Sequence, residues 1–310
     1  MPHTEEQTLL AIDLGSNAMR ASIACFDASK DLEILESHRF ALRLGEDVFS
    51  KGKLSKGSFR KAACAFLELK ELIDKNDIDH VKAVATSALR DSDNGAEFVE
   101  HISKQTGINI EVIAGNDEAG LIKKAVSSVI DLTSKVALLI DIGGGSTEFT
   151  VTDNNKIVFS KSYQCGTVRL LDKLATKNHK DLISSTIDQA FKEINKVLKG
   201  KKIDICVGTG GNLKRMGKLR KIFFKRSSHK VTQQELAAIS LEVSKLNLDQ
   251  RMNFLSMRQD RADVIVPAIQ IIELMLIKFD LREILLPNVG LKEGVMIEHF
   301  GEIPRNLINN

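Results

Sequence analysis

Two turns in this sequence place an aspartate and several small polar residues directly after an apolar run. Asp13 follows the apolar residues 9–12, and Asp141 follows the apolar residues 136–140. An apolar run that stops in this way is typical of a buried strand that enters a tight turn. Glycines in such a turn let backbone N–H groups approach an anion closely. The paired turns therefore predict a phosphate held between two related lobes.

A third glycine-rich turn follows the apolar residues 205–207. Its backbone is also predicted to contact phosphate. This turn is neither a Walker A loop nor a complete Rossmann fingerprint, so neither nucleotide motif is present. The predicted phosphate-binding residues of the three turns are Gly15, Ser16, Asn17, Gly144, Gly145, Ser146, Thr147, Gly208, Thr209, Gly210 and Gly211.

Three carboxylates form the predicted metal site. Asp141 and Glu148 are seven residues apart across a strand–turn–strand segment, and Asp13 is expected opposite them. Hard oxygen ligands of this kind suit Mg²⁺, with Mn²⁺ as the alternative metal. The structural alternative is that the aspartates only cap their turns.

Arg90 stands between a predicted strand and a turn-like segment. A guanidinium there suits bidentate binding of phosphate oxygens and stabilisation of charge in a transition state. The alternative is a surface ion pair with Asp91 or Asp93. Arg20 and Arg43 are weaker candidates for the same role.

Strand-like and helix-like segments follow the same order in both halves, which indicates a coarse structural repeat. The first half is predicted to contain strands over 9–13, 21–26 and 36–44, a helix over 58–76 and a strand over 80–86. The second half is predicted to contain strands over 135–141, 147–151 and 156–163, a helix over 184–198 and a strand over 204–207.

The length of 310 residues favours two domains. The boundary is predicted within the small and polar stretch 126–134, which gives lobes 1–128 and 129–310. The last helix, about residues 295–310, is expected to belong to the second lobe or to pack back on the first.

The composition argues against nucleic-acid-binding, zinc-binding, disulfide-rich and membrane proteins. The 44 basic and 41 acidic residues leave a net charge of +3, which is too balanced to predict a nucleic-acid partner. The four cysteines are far apart, so the sequence indicates neither a zinc site nor a disulfide framework. With no recognisable export signal or membrane-spanning run, we expect a cytoplasmic protein without a membrane partner.

Six segments, in this order, resemble the signatures of the exopolyphosphatase and guanosine pentaphosphate phosphatase (Ppx/GppA) family. They are residues 13–17, 85–90, 113–119, 141–148, 208–211 and 261–267. The resemblance implies an α/β fold of two ribonuclease-H-like lobes around a central cleft, as in the actin-like ATPase, sugar kinase and Hsp70 superfamily. It also implies Mg²⁺-dependent removal of a terminal phosphate, in the short two-domain form of the family.

The resemblance assigns the general base to Glu118, which matches the second acidic residue of the family's Glu-Glu-Ala segment. Asp117 replaces the first of those acids. From the residues alone, Asp117 and Glu118 equally suit the acidic first turn of a helix. Asn288 and Lys292 also depart from the family's Ser-Asp-x-Gly-Leu-Arg-Glu-Gly segment, which puts a role of that turn in substrate or metal contact in doubt.

Together with these residues, the resemblance implies an Mg²⁺-dependent exopolyphosphatase in which Glu118 activates water and Arg90 is the second catalytic residue. A guanosine pentaphosphate 5′-phosphatase is the first alternative, and a non-enzymatic sensor of a phosphorylated nucleotide is the second. An ATP-dependent kinase or chaperone-like ATPase on the same fold is a further reading. The basic stretch 218–230 suits either a polyanion or a solvated surface. The resemblance and the frequency of symmetric homodimers favour a homodimer.

Overall fold

Each half of the chain builds its own mixed β-sheet. The computed structural model describes residues 6–26, 32–171 and 178–301. By its internal contacts the chain divides into two units, Met1–Val129 with Val289–Asn310 and Ile130–Asn288, here called unit 1 and unit 2.

The sheet of unit 1 contains five strands in the order β3-β2-β1-β4-β5. The strands are β1 Gln7–Leu14, β2 Met19–Phe26, β3 Leu32–Phe40, β4 His80–Ala85 and β5 Ile110–Val112. The first three pair antiparallel, whereas β4 lies parallel to β1 and to β5. The helices between them are α1 Leu44–Lys51, α2 Lys56–Asn76, α3 Ser87–Arg90, α4 Gly95–Thr106 and α5 Gly115–Ser127.

The sheet of unit 2 repeats this order and adds one edge strand, giving β8-β7-β6-β9-β11-β10. Its strands are β6 Val136–Ile142, β7 Thr147–Asp153, β8 Lys156–Tyr163, β9 Ile205–Thr209, β10 Lys230–Thr232 and β11 Glu283–Leu285. Its helices are α6 Thr167–Leu171, α7 Asn178–Leu198, α8 Gly210–Phe224, α9 Gln233–Ser244, α10 Leu248–Phe254, α11 Gln259–Ala262 and α12 Ile265–Lys278.

Central strands β1 and β6 are buried along most of their length, which suits their mostly apolar residues, because side chains on both faces of a central strand are covered. The predicted repeat is confirmed by the matching strand orders. The predicted strand 36–44 is wrong at both ends, since β3 runs from Leu32 to Phe40 and α1 begins at Leu44. Polar side chains at 36–39 are tolerated there because β3 is an edge strand with a largely exposed face.

A last helix, α13 Leu291–Phe300, belongs to unit 1. Lys124 of α5 donates to Glu298 over 2.7 Å, and the rings of Phe26 and Phe300 stack with centroids 4.8 Å apart. The last helix thus belongs with the first lobe, as one of the two expected placements had it, and the second lobe ends at Asn288 rather than at residue 310. The predicted helix positions beyond residue 301 lie outside the described residues. Among the described helices, none is both long and apolar enough to cross a membrane.

Candidate active site

In unit 1, Asp13 lies near the end of β1 and directly opposite Arg20 of β2. Arg20 Nη1 donates a hydrogen bond to Asp13 Oδ2 over 3.0 Å. The connecting turn is closed by the Gly15 N–H, which donates to the Ala18 carbonyl over 3.2 Å. The aspartate of this turn therefore has a fixed cation as its cross-strand neighbour.

Backbone N–H groups at the N-terminal end of α1 donate hydrogen bonds to carbonyls of the same turn. Gly45 N–H donates to the Ser16 carbonyl over 2.8 Å, and Arg43 N–H donates to the Asn17 carbonyl over 3.1 Å. In a trans peptide unit the N–H of the next residue points opposite to the carbonyl. The N–H groups of Asn17 and Ala18 therefore point away from α1, as an anion site requires. The Ser16 hydroxyl lies 2.8 Å from that of Ser87.

Burial raises the pKa of Asp13 above the ordinary value for an aspartate, and the Arg20 guanidinium opposes that rise. Two residues of α13 also act on this carboxylate: Glu293 raises its pKa and Lys292 lowers it. Lys292 Nζ donates to the Ser22 hydroxyl over 2.6 Å and lies 3.2 Å from Glu293 Oε1. The lysine that departs from the family segment thus contributes charge next to the first turn.

Arg90 and Glu118 lie together in unit 1. Arg90, the last residue of α3, donates from Nη1 to the Ile113 carbonyl over 2.9 Å and lies 3.5 Å from Glu118 Oε2. Glu118 is in the first turn of α5, and its carboxylate is nearly buried with 10% of the side chain exposed, against 26% for Arg90. Asp117 on the same turn is exposed. The structure thus gathers the two predicted catalytic residues and holds the arginine by a backbone carbonyl.

In unit 2, Asp141 of β6 lies directly opposite Glu148 of β7. The hydroxyl of Thr209 donates to Asp141 Oδ2 over 2.8 Å. Glu148 Oε1 accepts hydrogen bonds from the hydroxyls of Ser146 and Ser162, the latter over 2.8 Å. Both carboxylates are therefore oriented by hydroxyl donors, and they are cross-strand neighbours of like charge.

The N-terminal end of α6 holds the glycine turn of unit 2. Carbonyls of Gly143 and Gly144 accept backbone N–H bonds from residues 167–169, and the Gly145 carbonyl accepts from Arg169 Nε over 2.9 Å. The N–H groups of Gly144, Gly145 and Ser146 consequently point away from α6. Three consecutive N–H groups on one side of a turn form a concave site suited to phosphate.

Thr147 differs from its predicted neighbours in the second turn. Its side chain is fully buried, and its hydroxyl donates to the Cys165 carbonyl over 2.6 Å. Successive side chains of a strand point to opposite faces, so Thr147 and Glu148 face opposite sides of β7. The hydroxyl of Thr147 therefore fastens the segment before α6 to the sheet.

The third turn meets Asp141 at the beginning of α8. Gly210 has φ 82°, and a Cβ on it would lie 2.5 Å from Asp141 Oδ1, so only glycine fits. Gly208 lies earlier, in β9, against the side chains of Leu213 and Ile284. Gly211 follows in the first turn of α8. The N-terminus of this helix places its positive dipole end beside the Asp141 carboxylate.

Several residues that contact the second and third turns are absent from the predicted site residues. Asn212 Nδ2 donates to the Ile142 carbonyl over 2.8 Å, and Arg261 Nη1 donates to Asn212 Oδ1 over 3.3 Å. Arg169 binds the glycine turn, and Ser162 binds Glu148. Arg261 lies in one of the family-like segments and could have been found there. The others carry no local signal, because long-range pairing brings them to the turns.

The predicted metal ligands are divided between the units. Asp141 and Glu148 lie together in unit 2, whereas Asp13 lies in unit 1 with Arg20. Within the described ranges, no group of three or more His, Cys, Asp or Glu residues is placed to hold a metal ion. Mg²⁺ is commonly bound by only one or two carboxylates together with substrate phosphates. The pair Asp141 and Glu148 therefore fits such a cation, while Asp13 already has a cationic partner.

Comparisons with known proteins show which sequences and structures this chain is similar to. A model of the Ppx/GppA phosphatase family matches residues 22–302. The chain is 34% identical over 182 residues to the bifunctional 3-dehydroquinate synthase/phosphatase of Fusobacterium nucleatum, covering 54% of this chain and 26% of that protein. It is 23% identical over 296 residues to exopolyphosphatase 1 of Mycobacterium bovis, covering 92% of this chain and 86% of that protein. The chain thus spans about a quarter of the Fusobacterium relative and most of the mycobacterial one.

The fold is shared with a solved structure. The crystal structure of an exopolyphosphatase from Cytophaga hutchinsonii has a TM-score of 0.86 to this chain at 23% identity, covering 96% of this chain and 99% of that one. The predicted fold class, an α/β protein of two lobes with the same strand order, is confirmed by this likeness and by the repeated strand order.

Proposed function

The chain belongs to the Ppx/GppA phosphatase family, and on that premise we propose that it is an exopolyphosphatase. The reaction is hydrolysis of the terminal phosphoanhydride bond of inorganic polyphosphate, with release of orthophosphate. Family membership supports phosphoanhydride hydrolysis in general, and the named relative from Mycobacterium bovis favours polyphosphate as the substrate.

The contact between Arg90 and Glu118 is the observation that carries this proposal. A nearly buried carboxylate next to a guanidinium combines a proton acceptor with a donor for phosphate oxygens. A surface ion pair between Arg90 and Asp91 or Asp93 was the alternative, but Arg90 Nη1 is directed to Ile113 and Glu118. The buried position of Glu118 also distinguishes it from the exposed Asp117.

In the proposed reaction Glu118 accepts a proton from the attacking water. The water oxygen bonds to the terminal phosphorus as the bond to the bridging oxygen breaks, and the shortened polyphosphate leaves with that oxygen. Arg90 donates hydrogen bonds to the phosphoryl oxygens while charge builds on them. The N–H groups of Gly144, Gly145 and Ser146 bind substrate phosphate, and no covalent enzyme intermediate forms.

The cation proposed for this reaction is Mg²⁺, with Mn²⁺ as the alternative. Asp141 and Glu148 would hold it, and it would supply positive charge to neutralise phosphate oxygens. Thr209, Ser146 and Ser162 orient the two carboxylates by hydrogen bonds, which would preserve their placement between turnovers.

The decisive experiment measures orthophosphate release with Mg²⁺ from long-chain polyphosphate, guanosine pentaphosphate and ATP in parallel. Glu118→Gln should lower kcat on polyphosphate by about 100-fold or more, since a general base commonly contributes that much. Asp117→Asn is the matched control, because it removes one charge from the same helical turn at an exposed position. The thermal unfolding midpoint of both variants should stay near that of the wild type.

Other results of this experiment would favour a different function. Preference for guanosine pentaphosphate would overturn the polyphosphate assignment in favour of the pentaphosphatase. Preference for ATP would favour the ATPase reading. Binding of a phosphorylated nucleotide without phosphate release, and without dependence on Mg²⁺, would favour the sensor. Equal activity of Glu118→Gln and the wild type would exclude Glu118 as the base.

A further inference from the structure

A cleft in unit 1 lies between the beginning of α2 and one side of α4. Its volume is about 710 Å³, and its described walls come from residues 53–60 and 94–104. Pockets that hold small organic ligands usually have volumes of about 300–1,000 Å³. Among the described residues that line this cleft, none is a predicted site residue. We call it the α2–α4 cleft, and its occupant is a different molecule from the substrate of the candidate active site.

The described lining of the α2–α4 cleft carries more positive than negative charge. Its cationic side chains are Lys53, Lys56, Arg60 and Lys104. Two carboxylates also line it, and one of them, Glu100, forms an ion pair with Lys104 at 2.5 Å. Glu97 is the other carboxylate, and it is outnumbered by the three cations of residues 53–60. The cleft therefore attracts an anion.

An aromatic wall adjoins these charges. The ring of Phe59 packs edge-on against the rings of Phe98 and His101, with centroids 5.2 and 5.4 Å away. Phe59 is only half-buried and lines the cleft, so part of its ring is open to an occupant. Lys56 and Arg60 are one helical turn apart on α2, and Phe59 lies on the same face. The cleft thus offers aromatic surface next to positive charge, which suits an anion with an apolar body.

Hydrogen bonds join the floor of the cleft to the loop that follows Arg90. The N–H of Leu54 donates to Asn94 Oδ1 over 2.8 Å, and Asn94 Nδ2 donates to the Leu54 carbonyl over 3.1 Å. The N–H of Asp93 donates to the Gly52 carbonyl over 2.9 Å. Only three residues separate Asn94 from Arg90. A ligand that contacts both walls would therefore hold this loop more firmly.

We propose that the α2–α4 cleft is an effector site for a small organic anion. The ligand carries a carboxylate, sulfonate or phosphate group on an apolar, aromatic body. Its anionic group binds Lys56 and Arg60, and its apolar body lies against Phe59. By holding the loop between Arg90 and α4, the bound ligand keeps Arg90 in place and raises kcat. The effect on catalysis rests on the proposed function, whereas the binding does not.

The first test measures binding of the fluorescent anion 8-anilinonaphthalene-1-sulfonate. The cleft variant combines Lys56→Gln with Arg60→Gln. The matched control combines Lys61→Gln with Lys75→Gln, which removes two exposed charges from α2 outside the described lining. The cleft variant should bind the probe about tenfold more weakly, because each exposed ion pair contributes only a few-fold. The control should bind like the wild type. Equal affinities of all three proteins would overturn the site.

Two further probes separate the anionic group of the ligand from its apolar body. N-phenyl-1-naphthylamine has the aromatic rings without the sulfonate, and inorganic phosphate has charge without an apolar body. Both should bind the wild type more weakly than the sulfonate probe does. Equally tight binding of the neutral amine would overturn the choice of an anion. Equally tight binding of inorganic phosphate would overturn the need for an apolar body.

The effector role is tested by kcat for phosphate release from long-chain polyphosphate, with and without saturating sulfonate probe. The wild-type value should rise about threefold, the size of coupling that packed and hydrogen-bonded networks carry. The change should appear in kcat because Arg90 acts on charge that builds in the transition state. The cleft variant should not respond. An unchanged or lower kcat in the wild type would overturn the effector role.

Hydrogen exchange separates this inference from the proposed reaction. Backbone exchange at residues 87–91, which include Arg90 and are absent from the described lining, is measured with and without the sulfonate probe. Slower exchange in the wild type, but not in the cleft variant, supports the coupling even if the protein releases no phosphate. Unchanged exchange overturns the coupling even if the protein is an active exopolyphosphatase.

Discussion

The first turn of unit 1 and the second turn, in unit 2, share one backbone design but carry opposite electrostatics. In each, an aspartate precedes a glycine whose N–H closes the turn, and the residue seven positions on lies directly across the strand pair. In unit 1 that partner is Arg20, and in unit 2 it is Glu148. The two copies of this strand–turn–strand segment therefore differ at one position, which holds the cationic Arg20 in unit 1 and the carboxylate of Glu148 in unit 2.

This difference indicates a division of tasks. The Asp13 carboxylate is neutralised inside the chain and can orient neighbouring groups without a metal. The pair Asp141 and Glu148 concentrates negative charge and is stabilised by any hard cation that binds it. Under the proposed function, the residue opposite the aspartate, Arg20 or Glu148, therefore decides which of the two turns would hold the metal ion.

The largest effect is expected when the second turn is made to resemble the first. Glu148→Arg should place a guanidinium opposite Asp141 and lower kcat by roughly 1000-fold, since it removes the proposed cation site. The readout is phosphate release across an Mg²⁺ titration. Glu148→Gln keeps the size of the side chain and serves as the control for folding. Wild-type activity with an unchanged Mg²⁺ response in both variants would contradict the metal assignment.

Acid should affect the buried carboxylates of the two units in opposite directions. Arg220 and the backbone at Thr232 overcome burial and lower the pKa of Glu235 from 4.5 to about 2, whereas burial raises that of Asp13. A lowered pKa gives stability that is present above about pH 4.5 and lost as pH falls through about 2, worth about 3 kcal/mol. A raised pKa has the opposite effect on stability, so protonation of Asp13 as the pH falls stabilises the folded state.

The measurement is the free energy of unfolding between pH 2 and pH 5 for the wild type and Glu235→Gln. The variant should lose most at pH 5 and approach the wild type near pH 2. Asp13→Asn serves as the comparison from unit 1. Its loss of stability should not be largest at pH 5 and should not vanish near pH 2. A constant difference between Glu235→Gln and the wild type over that range would contradict the assigned direction.

A smaller effect is expected from the glycines that approach the two turns. A Cβ on Gly166 would lie 2.3–2.4 Å from backbone atoms of residues 144–146, whereas one on Gly45 would first meet the ring of Phe49 at 2.5 Å. Gly166→Ala should destabilise the protein by about 2 kcal/mol, and Gly45→Ala by less, because a side chain moves more easily than backbone. Urea denaturation of both variants compares them. A larger loss for Gly45→Ala would reverse the expected order.

The smallest effect concerns Arg20, whose side chain is 30% exposed. Arg20→Met should cost about 1 kcal/mol because it leaves the buried Asp13 without its cation. In a double-mutant cycle with Asp13→Asn, the two unit 1 residues should show favourable coupling. The matching cycle of Asp141→Asn and Glu148→Gln, measured without metal, should show none or repulsion. Favourable coupling in both units would remove the proposed distinction.

The sequence predicts the two turns and their strands well because both signals are local. An apolar run followed by Asp-x-Gly fixes where β1 and β6 end, and helical spacing of apolar residues locates α2. The contact between Arg90 and Glu118 is not local, since 28 residues separate them. Both residues lie in family-like segments of the sequence. Their contact, however, depends on the fold, because α3 follows β4 and α5 follows β5.

Other parts of the site could not be predicted because pairing across the fold decides them. Because side chains alternate between the two faces of β7, the hydroxyl of Thr147 is directed to the Cys165 carbonyl. No local sequence pattern indicates this direction. Arg20 is only a weaker candidate by sequence, although its position seven residues after Asp13 matches that of Glu148 after Asp141. The return of Lys292 to Ser22 joins residues 270 positions apart, and no periodicity in the sequence indicates it.

The placement of α13 has a consequence for the order in which the protein forms during synthesis. Unit 2 is one continuous segment, whereas unit 1 needs the helix that is translated after all of unit 2. Until Leu291–Phe300 has emerged from the ribosome, β1, β2 and α5 lack one of their packing partners, the helix α13. Unit 1, most of which is made first, can therefore be completed only after unit 2 has been translated, which departs from the usual N-terminal-first order of domain folding.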